Sequence, residues 1–340
     1  MDWYHAVRPL IFAVDPEVDH HIVADGLKVF NHHTKPLQKM FWVKNRTTLK
    51  TTVKGVDFSS PVGIAAGFDK NGQFFNSLGA LGAGFVEVGS VTKQAQNGNP
   101  KKRIFRLPED SAIINRMGLN NDGIEEVVKR IKQVDHKTKI GLSIAPSHGL
   151  DTSQMVSELV DDVRFASDAA DYLALNLSCP NQAGVLSLQE PQILTDLLQE
   201  IKALNLSTPI FCKFSSDLLK EELLDTLERT HSLMDGIILA NTSRSRDQLV
   251  SKNKIEKGGL SGKPLFEKSL RLTKAVRTKF SDQLPIIFSG GVFTATDAQT
   301  AIDAGASLVQ VYTGFIYNGP SQLETINRQL SENRLLKFIK

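Results

Sequence analysis

The strongest constraint on the fold of this chain is a repeat in which short apolar runs alternate with helical segments. Helical periodicity follows most of the runs, as in Val156, Leu159 and Val163 after the third one. Continuous apolar strands joined by helices indicate a parallel sheet that is covered on its outer face. Eight such units favour a closed (β/α)₈ TIM barrel over an open doubly wound sheet. The predicted strands lie at residues 62–66, 85–89, 140–144, 172–177, 209–214, 236–240, 284–288 and 308–311.

Polar or glycine residues follow almost every predicted strand, at the end where such a barrel builds its active site. Gly290 and Gly291 follow the seventh strand, and a helix predicted to begin near Thr294 would point its positive end at a phosphate there. Lys70 and Lys213 would bring positive charge to the barrel axis. The alternative for a single lysine at a strand end is that it extends its ammonium group into solvent and has no role in a site. Amide side chains that would suit a flat heterocycle are those of Asn115, Asn176, Asn181 and Asn241.

Two segments do not fit the repeat. Residues 1–45 carry three helical patterns, and we predict a helical extension in front of a barrel that comprises residues 46–340. Two roles stay open for this extension, namely packing against the barrel or an apolar surface that rests on a membrane, as Trp3, Tyr4 and Arg8 suggest. Residues 90–123 are too long for a simple connection and are predicted to form a lid.

Composition excludes several classes of protein. The net charge of +3, without aromatic–basic stacking motifs, argues against a nucleic-acid partner. Two cysteines cannot support a disulfide framework, which indicates a reducing compartment. Asp2 stands where a signal peptide would be basic, and no apolar run approaches the roughly 20 residues of a membrane span. No metal site is predicted.

A series of motifs in family order and spacing makes the chain resemble the dihydroorotate dehydrogenases, most closely the membrane-associated, quinone-dependent class 2. The resemblance implies FMN on a (β/α)₈ barrel and the activity of EC 1.3.5.2. That activity oxidises (S)-dihydroorotate to orotate in pyrimidine (UMP) biosynthesis, with FMN as hydride acceptor and a quinone as final electron acceptor. The motifs are DPE (15–17), GIAAGFDKNG (63–72), GSVT (89–92), NRMGLNN (115–121), NLSCPN (176–181), ANTS (240–243), GGLSGKPL (258–265) and YTGFIYNGP (312–320).

The resemblance also implies a role for individual residues. Cys179 takes the place of the base that removes the C5 proton. Residues 1–45 would form the quinone tunnel and a peripheral membrane contact, on the cytoplasmic side of the cell membrane in a bacterium. The implied FMN contacts are Ala66, Gly67, Ser90, Ser143, Asn176, Lys213, Ala240, Gly262, Gly291, Tyr312 and Thr313. The implied substrate contacts are Lys70, Asn115, Arg116, Met117, Gly118, Leu119, Asn176, Asn181, Asn241 and Thr242. The implied quinone contacts are His20, Arg106 and Tyr312.

Several positions depart from the class 2 pattern. Class 2 members usually have a serine at the position of Cys179, whereas a cysteine there is typical of the soluble class 1. A thiol has an ordinary pKa of about 8.5, so it is a better base near neutral pH than a serine hydroxyl. Two alternatives therefore stay open: an FMN oxidoreductase for another cyclic amide or enone, and an inactive flavin-binding barrel kept as a partner protein. The other departures are Leu119, Ser143, Gln182, Leu186, Ala240 and residues 145–148.

Overall fold

The computed structural model describes residues 3–178 and 184–339, and it begins with three helices and a hairpin. These elements are α1 (Trp3–Ala13), α2 (Pro16–Phe30), α3 (Lys35–Met40), β1 (Thr51–Val53) and β2 (Val56–Phe58), with β1 and β2 antiparallel. Asp15 caps α2, because its side chain accepts hydrogen bonds from the amides of Glu17 and Val18, and Pro16 occupies the first helical position. The sequence prediction of three helices is confirmed.

Eight parallel strands then close into the predicted barrel, and all eight apolar runs are confirmed as its strands. With strands numbered along the whole chain, they are β3 (Val62–Ile64), β4 (Phe85–Val91), β7 (Lys139–Ile144), β8 (Tyr172–Asn176), β9 (Ile210–Lys213), β10 (Gly236–Leu239), β12 (Ile286–Ser289) and β13 (Leu308–Val311). The order around the barrel is β10-β12-β13-β3-β4-β7-β8-β9, and β9 closes the ring by pairing with β10. The barrel strands are buried along almost their whole length, which explains their continuous apolar character.

Helices cover the barrel, and the interior is packed at its amino-terminal end. On helix α6 (Thr152–Ala166), the apolar side chains of Met155, Leu159 and Val163 are buried against the strands. Inside the barrel, the ring of Tyr172 lies 5.3 Å from that of Phe211 and 6.3 Å from that of Phe85, measured between centroids. This aromatic layer leaves the carboxyl ends of the strands free for a site. The remaining helices are α4 (Phe75–Ala80), α5 (Ile124–Lys132), α6 (Thr152–Ala166), α7 (Pro191–Ala203), α8 (Lys220–Thr230), α9 (Phe266–Phe280), α10 (Ala295–Asp303), α11 (Thr313–Asn318) and α12 (Gln322–Ile339).

The long insertion after β4 forms a small antiparallel sheet of its own. Its strands are β5 (Ile104–Leu107) and β6 (Ala112–Asn115), and β11 (Gly259–Gly262) adds to the edge of β6. The loop after β6 carries residues 116–121 to the carboxyl end of the barrel, where several of them line a cavity. The insertion therefore lies where a lid was predicted.

The amino-terminal helices bury few side chains. No residue of α1 is buried, and on α2 the buried side chains are Glu17, Ala24 and Leu27. Val18, Ile22 and Val29, which are apolar residues of α2, are 48%, 64% and 73% exposed. Packing against the barrel thus accounts for only part of the apolar pattern. No helix in the described part of the chain is both long enough and apolar enough to cross a bilayer.

Candidate active site

A cavity opens at the carboxyl ends of the barrel strands, and it brings together most of the residues that the sequence suggested. Ser143 and Arg116 are outside its wall, and Cys179 and Asn181 lie outside the described residues. The predicted residues that line it are Ala66, Gly67, Lys70, Ser90, Asn115, Met117, Gly118, Leu119, Asn176, Lys213, Ala240, Asn241, Thr242, Gly262, Gly291, Tyr312 and Thr313.

A buried carboxylate organises the barrel interior at this cavity. Glu87 on β4 accepts hydrogen bonds from Lys213 Nζ at 3.1 Å, Tyr172 Oη at 3.2 Å and Gln310 Nε2 at 2.6 Å. Burial, and then the charge of Glu87, raise the pKa of Tyr172, so the phenol stays a donor. Lys213 therefore brings its positive charge to the barrel interior, as expected, but as one half of an ion pair with Glu87.

Sequence reasoning missed Glu87 and Gln310. The available signal was a single polar residue inside an otherwise apolar strand, in FVEV and LVQV. Gln310 lines the cavity, and its Oε1 is buried without a hydrogen-bond partner among the described residues; the same holds for Oδ1 of Asn120. Buried acceptors are rarely left unpaired, so these two atoms are available to a donor group of a polar ligand or to water.

Amide and hydroxyl groups form a chain along one wall. Asn241 Nδ2 donates to Asn176 Oδ1 and to Ser178 Oγ, both at 3.0 Å. Asn176 Nδ2 in turn donates to Ser90 Oγ at 2.9 Å, and Ser90 Oγ lies 2.7 Å from Ser143 Oγ. Ser143 is fully buried behind Ser90. The Ser143 side chain therefore reaches Ser90 rather than the cavity wall, and its predicted contact with a cofactor stays a prediction.

The glycine-rich ends of the later strands form another part of the wall. Gly262 and Gly291 have φ angles of +110° and +70°, and a side chain at Gly291 would bring its Cβ to 2.7 Å from the backbone nitrogen of Phe266. α10 begins after Thr294 as predicted, with a capping box in which Asp297 N donates to Thr294 Oγ1 at 3.1 Å and the Asp297 carboxylate accepts from Phe293 N and Thr294 N. No residue of α10 itself lines the cavity, and the predicted approach of its positive end to a phosphate stays a prediction.

A second, mostly apolar cavity lies between the amino-terminal helices and the barrel. His20, Arg106 and Tyr312 line it, as predicted for one common pocket, and Trp3 and Phe315 contribute to its walls. Among the described residues, four line both cavities, so their side chains separate the two: Lys70, Asn115, Met117 and Tyr312.

Two polar side chains of the second cavity, His20 and Arg106, have a defined protonation state or defined hydrogen-bond partners. Burial, followed by the charge of Lys70, lowers the pKa of His20 to about 3, so its ring is neutral near pH 7. Arg106 donates to Val14 O at 2.8 Å and to Asp19 Oδ2 at 2.6 Å, and its guanidinium lies 4.5 Å from the centre of the Phe12 ring. Arg106 thus fastens the connection between α1 and α2 while it lines the cavity.

Lys70 brings a cation to the boundary between the two cavities. Burial, and then the charge of Arg103, lower the pKa of Lys70 to about 8, while Glu17 and Asp69 act in the opposite direction. Arg116, in contrast, points away: it pairs with Glu256 at 2.7 Å and is absent from the cavity wall. The predicted contact of Arg116 with a substrate stays a prediction, and its side chain is directed at Glu256.

Comparisons with known proteins agree with this geometry. The sequence model of the family described as Dihydroorotate dehydrogenase matches residues 48–334. A Dihydroorotate dehydrogenase (quinone) of Christiangramia forsetii is 41% identical over 337 residues, covering 97% of this chain and 98% of the relative. The chain belongs to the dihydroorotate dehydrogenase family.

Further relatives support the same assignment. A Dihydroorotate dehydrogenase (quinone) of Idiomarina loihiensis is 40% identical over 332 residues, covering 95% of this chain and 98% of the relative. The crystal structure of the Eimeria tenella dihydroorotate dehydrogenase in complex with ferulenol superposes with a TM-score of 0.85 at 31% identity, over 97% of this chain and 95% of that one. The resemblance to this family and the barrel fold are thereby confirmed.

The positions that depart from the class 2 pattern of this family are distributed over the site. Leu119 and Ala240 line the first cavity, and Leu119 has a positive φ of 52°. The carbonyl of Leu119 accepts from Asn121 Nδ2 at 2.8 Å, which holds the loop in this conformation. Leu186 is 40% exposed, and Gln182 lies outside the described residues.

Proposed function

We propose that this protein oxidises (S)-dihydroorotate to orotate, passes the electrons to a quinone, and contributes in this way to pyrimidine biosynthesis. The observation that carries the proposal is the shared wall between the two cavities, formed by Lys70, Asn115, Met117 and Tyr312. A redox group placed against this wall is accessible from the substrate side and from the apolar side. The names of the relatives agree with a quinone as the second substrate.

The family is flavin-dependent, and we propose FMN as the group in the first cavity. FMN supplies two-electron oxidation of the substrate and can return the electrons singly or in pairs. The unpaired acceptor of Gln310 and the glycine backbones fit such a polar, phosphorylated ligand. The phosphate would lie near Gly262, Gly291 and Thr313. The remaining contacts would come from Ala66, Gly67, Ser90, Asn176, Lys213, Ala240 and Tyr312.

The substrate would bind on the opposite side of the same cavity, against the loop after β6. Lys70, with a pKa of about 8, is largely protonated at neutral pH and would pair with the carboxylate of dihydroorotate. Asn176 and Asn241 present amide groups that match the cyclic ureide. Asn115, Asn181, Thr242 and residues 117–119 would complete the substrate contacts.

Cys179 is our candidate for the base. It follows the last residue of β8 by three positions along the chain. Its described neighbour Ser178 accepts a hydrogen bond from Asn241, which lines the first cavity. The thiolate would remove the proton from C5 of dihydroorotate and hold it on Sγ. A thiol needs only a modest lowering of its pKa for this task, whereas a serine hydroxyl needs an organised relay.

The second cavity would admit the quinone, with His20, Arg106 and Tyr312 as its contacts. A neutral His20 ring carries one N–H group, which can donate a hydrogen bond to a carbonyl oxygen of the quinone. Exposed apolar side chains on the same helices would rest on a membrane from which the quinone enters, among them Leu10 and Ile22. We therefore propose a peripheral membrane protein, on the cytoplasmic side of the cell membrane in a bacterium.

Turnover of dihydroorotate with a soluble quinone analogue tests the proposal. The expected result is orotate formation that requires both compounds and added FMN. An enzyme for another cyclic amide or enone would oxidise or reduce its own substrate and leave dihydroorotate unchanged. An inactive barrel would bind flavin and turn over none of them.

A further inference from the structure

A buried ion pair joins the amino-terminal helices to the loop at the substrate side. Glu17 on α2 accepts a bifurcated hydrogen bond from Arg103 Nε, at 3.2 Å to each carboxylate oxygen, and another from Arg103 Nη2 at 2.8 Å. The two side chains are only 5% and 8% exposed. Burial opposes ionisation of Glu17, but the hydrogen bonds and charge of Arg103 outweigh it, so the pKa of Glu17 lies below its usual value.

The other end of Arg103 holds the lid backbone. Its Nη1 donates to the carbonyls of Asn97 at 2.8 Å, Asn99 at 2.9 Å and Met117 at 3.5 Å. The loop is tightly packed at this point, because a Cβ on Gly118 would lie 2.7 Å from the backbone nitrogen of Asn99. One guanidinium therefore connects α2 to the segment that carries Met117 into the cavity.

The charges of the same pair act on Lys70, the proposed partner of the substrate carboxylate. The charged or titratable groups that act on Lys70 come from three elements: Arg103 from the lid, Glu17 and His20 from α2, and Asp69 from the loop that carries Lys70 itself. Glu17 lines neither cavity, so it contacts neither proposed substrate. Its other charged partners are Lys101 at 3.6 Å and His21 at 3.8 Å, both of them exposed, so Arg103 is its buried connection to the lid.

We propose that Glu17 and Arg103 form a positioning pair through which the amino-terminal helices organise the dihydroorotate site. The pair holds the loop at 116–118 in place and sets the charge balance at Lys70. This inference rests on the proposed function and adds to it that the quinone-side helices also support the substrate half-reaction. A role of these helices as a quinone tunnel alone does not explain why the buried carboxylate of Glu17 binds Arg103 in the lid.

Orotate binding to the FMN-reconstituted full-length protein tests the pair without relying on turnover. The variants are Glu17→Gln, Arg103→Lys and, as a matched carboxylate-to-amide control on the same helix, Asp25→Asn, whose partner Lys28 is on the surface. Affinity is measured by calorimetry between neutral and alkaline pH, and the thermal midpoint of unfolding is recorded for each variant.

Each variant has its own expected signature. Glu17→Gln removes an anion that favours protonated Lys70, so orotate binding weakens about tenfold and is lost at a lower pH than in the parent. Arg103→Lys keeps the ion pair but lacks the planar fork that reaches several carbonyls, so affinity falls while the pH midpoint stays in place. Asp25→Asn matches the parent in both respects.

Two results would overturn the positioning role. One is parental orotate affinity and pH midpoint in Glu17→Gln, even with a lowered thermal midpoint, since that indicates a purely structural pair. The other is parental affinity in Arg103→Lys, which decides the question if Glu17→Gln does not fold. A parent protein that binds no orotate would instead overturn the proposed function, and this inference with it.

Discussion

Lys213 Nζ lies 3.1 Å from Oε1 of Glu87, and both side chains are buried inside the barrel at the wall of the candidate active site. The strands that carry them, β9 and β4, are separated by β7 and β8 around the barrel, so the two residues meet across its interior. The pair has no net charge, and Glu87 also accepts hydrogen bonds from Tyr172 and Gln310.

Glu87→Gln is expected to destabilise the fold by about 3–5 kcal/mol, because it leaves the Lys213 ammonium buried without a counter-charge. Urea unfolding of the FMN-free protein measures this loss. The matched control is Asp161→Asn, which breaks an ion pair with Lys93 in which both side chains are nearly half exposed and is expected to change stability by less than about 1 kcal/mol. Equal losses in the two variants would contradict the proposed role of the buried pair.

Ser143→Ala is expected to weaken FMN binding about fivefold, since it removes a hydrogen bond worth about 1 kcal/mol that orients Ser90. Quenching of FMN fluorescence on binding measures the affinity. Ser60→Ala is the control, because Ser60 is also buried and bonded, to Asn327 at 2.7 Å, but lies away from the cavity. If both variants bind FMN like the parent, Ser143 does not act through Ser90.

Gly291→Ala is expected to lower FMN affinity and to destabilise the protein by about 1–3 kcal/mol, through a positive φ and a clash with Phe266. Gly149→Ala separates the two causes, because Gly149 has a φ of +83° but no heavy atom within 4 Å of the point where a Cβ would lie. We expect this control to show the smaller loss of stability and parental FMN affinity. Equal effects would mean that backbone strain alone matters.

Stability in acid should depend on His20. Its pKa is lowered from 6.5 to about 3 in the folded protein, so between these values the unfolded chain binds more protons and folding weakens as the pH falls. His20→Phe is therefore expected to lose less stability than the parent on acidification below about pH 6.5, as urea midpoints at several pH values can show. His33→Phe, at an exposed position, serves as control. An identical acid response of His20→Phe and the parent would contradict a buried neutral ring.

Cys179→Ala is expected to slow flavin reduction by dihydroorotate about 10²–10⁴-fold and to leave orotate affinity nearly unchanged, because general base catalysis contributes rate rather than binding. Cys179→Ser should be almost as damaging, since Gln182 and Leu119 replace the residues that accompany the usual serine. Rapid-mixing measurement of flavin bleaching across pH tests this. A Cys179→Ser variant as fast as the parent at neutral pH would refute the cysteine base.

The sequence by itself determined the barrel. Its strands are buried on both faces, so each one is visible in the sequence as a continuous run of apolar residues. It also determined which residue types stand at the strand ends, since the carboxyl ends of parallel strands must meet at one rim. Lys70, Asn176 and Tyr312 could therefore be placed in one site before their distances were known. The division at residue 45 and the individual roles of these residues remain predictions.

Only the tertiary structure decided which of these side chains are paired and which face the cavity. Arg116 and Met117 are neighbours in sequence, yet Arg116 turns outward to Glu256 and Met117 lines both cavities. Lys213 is neutralised by Glu87 from a distant strand, and Arg103 is held by Glu17 from a helix 86 positions earlier. The physical reason is that periodicity depends on the neighbours of a residue along the chain, whereas charge pairing depends on barrel closure and helix docking, which bring distant residues within hydrogen-bonding distance.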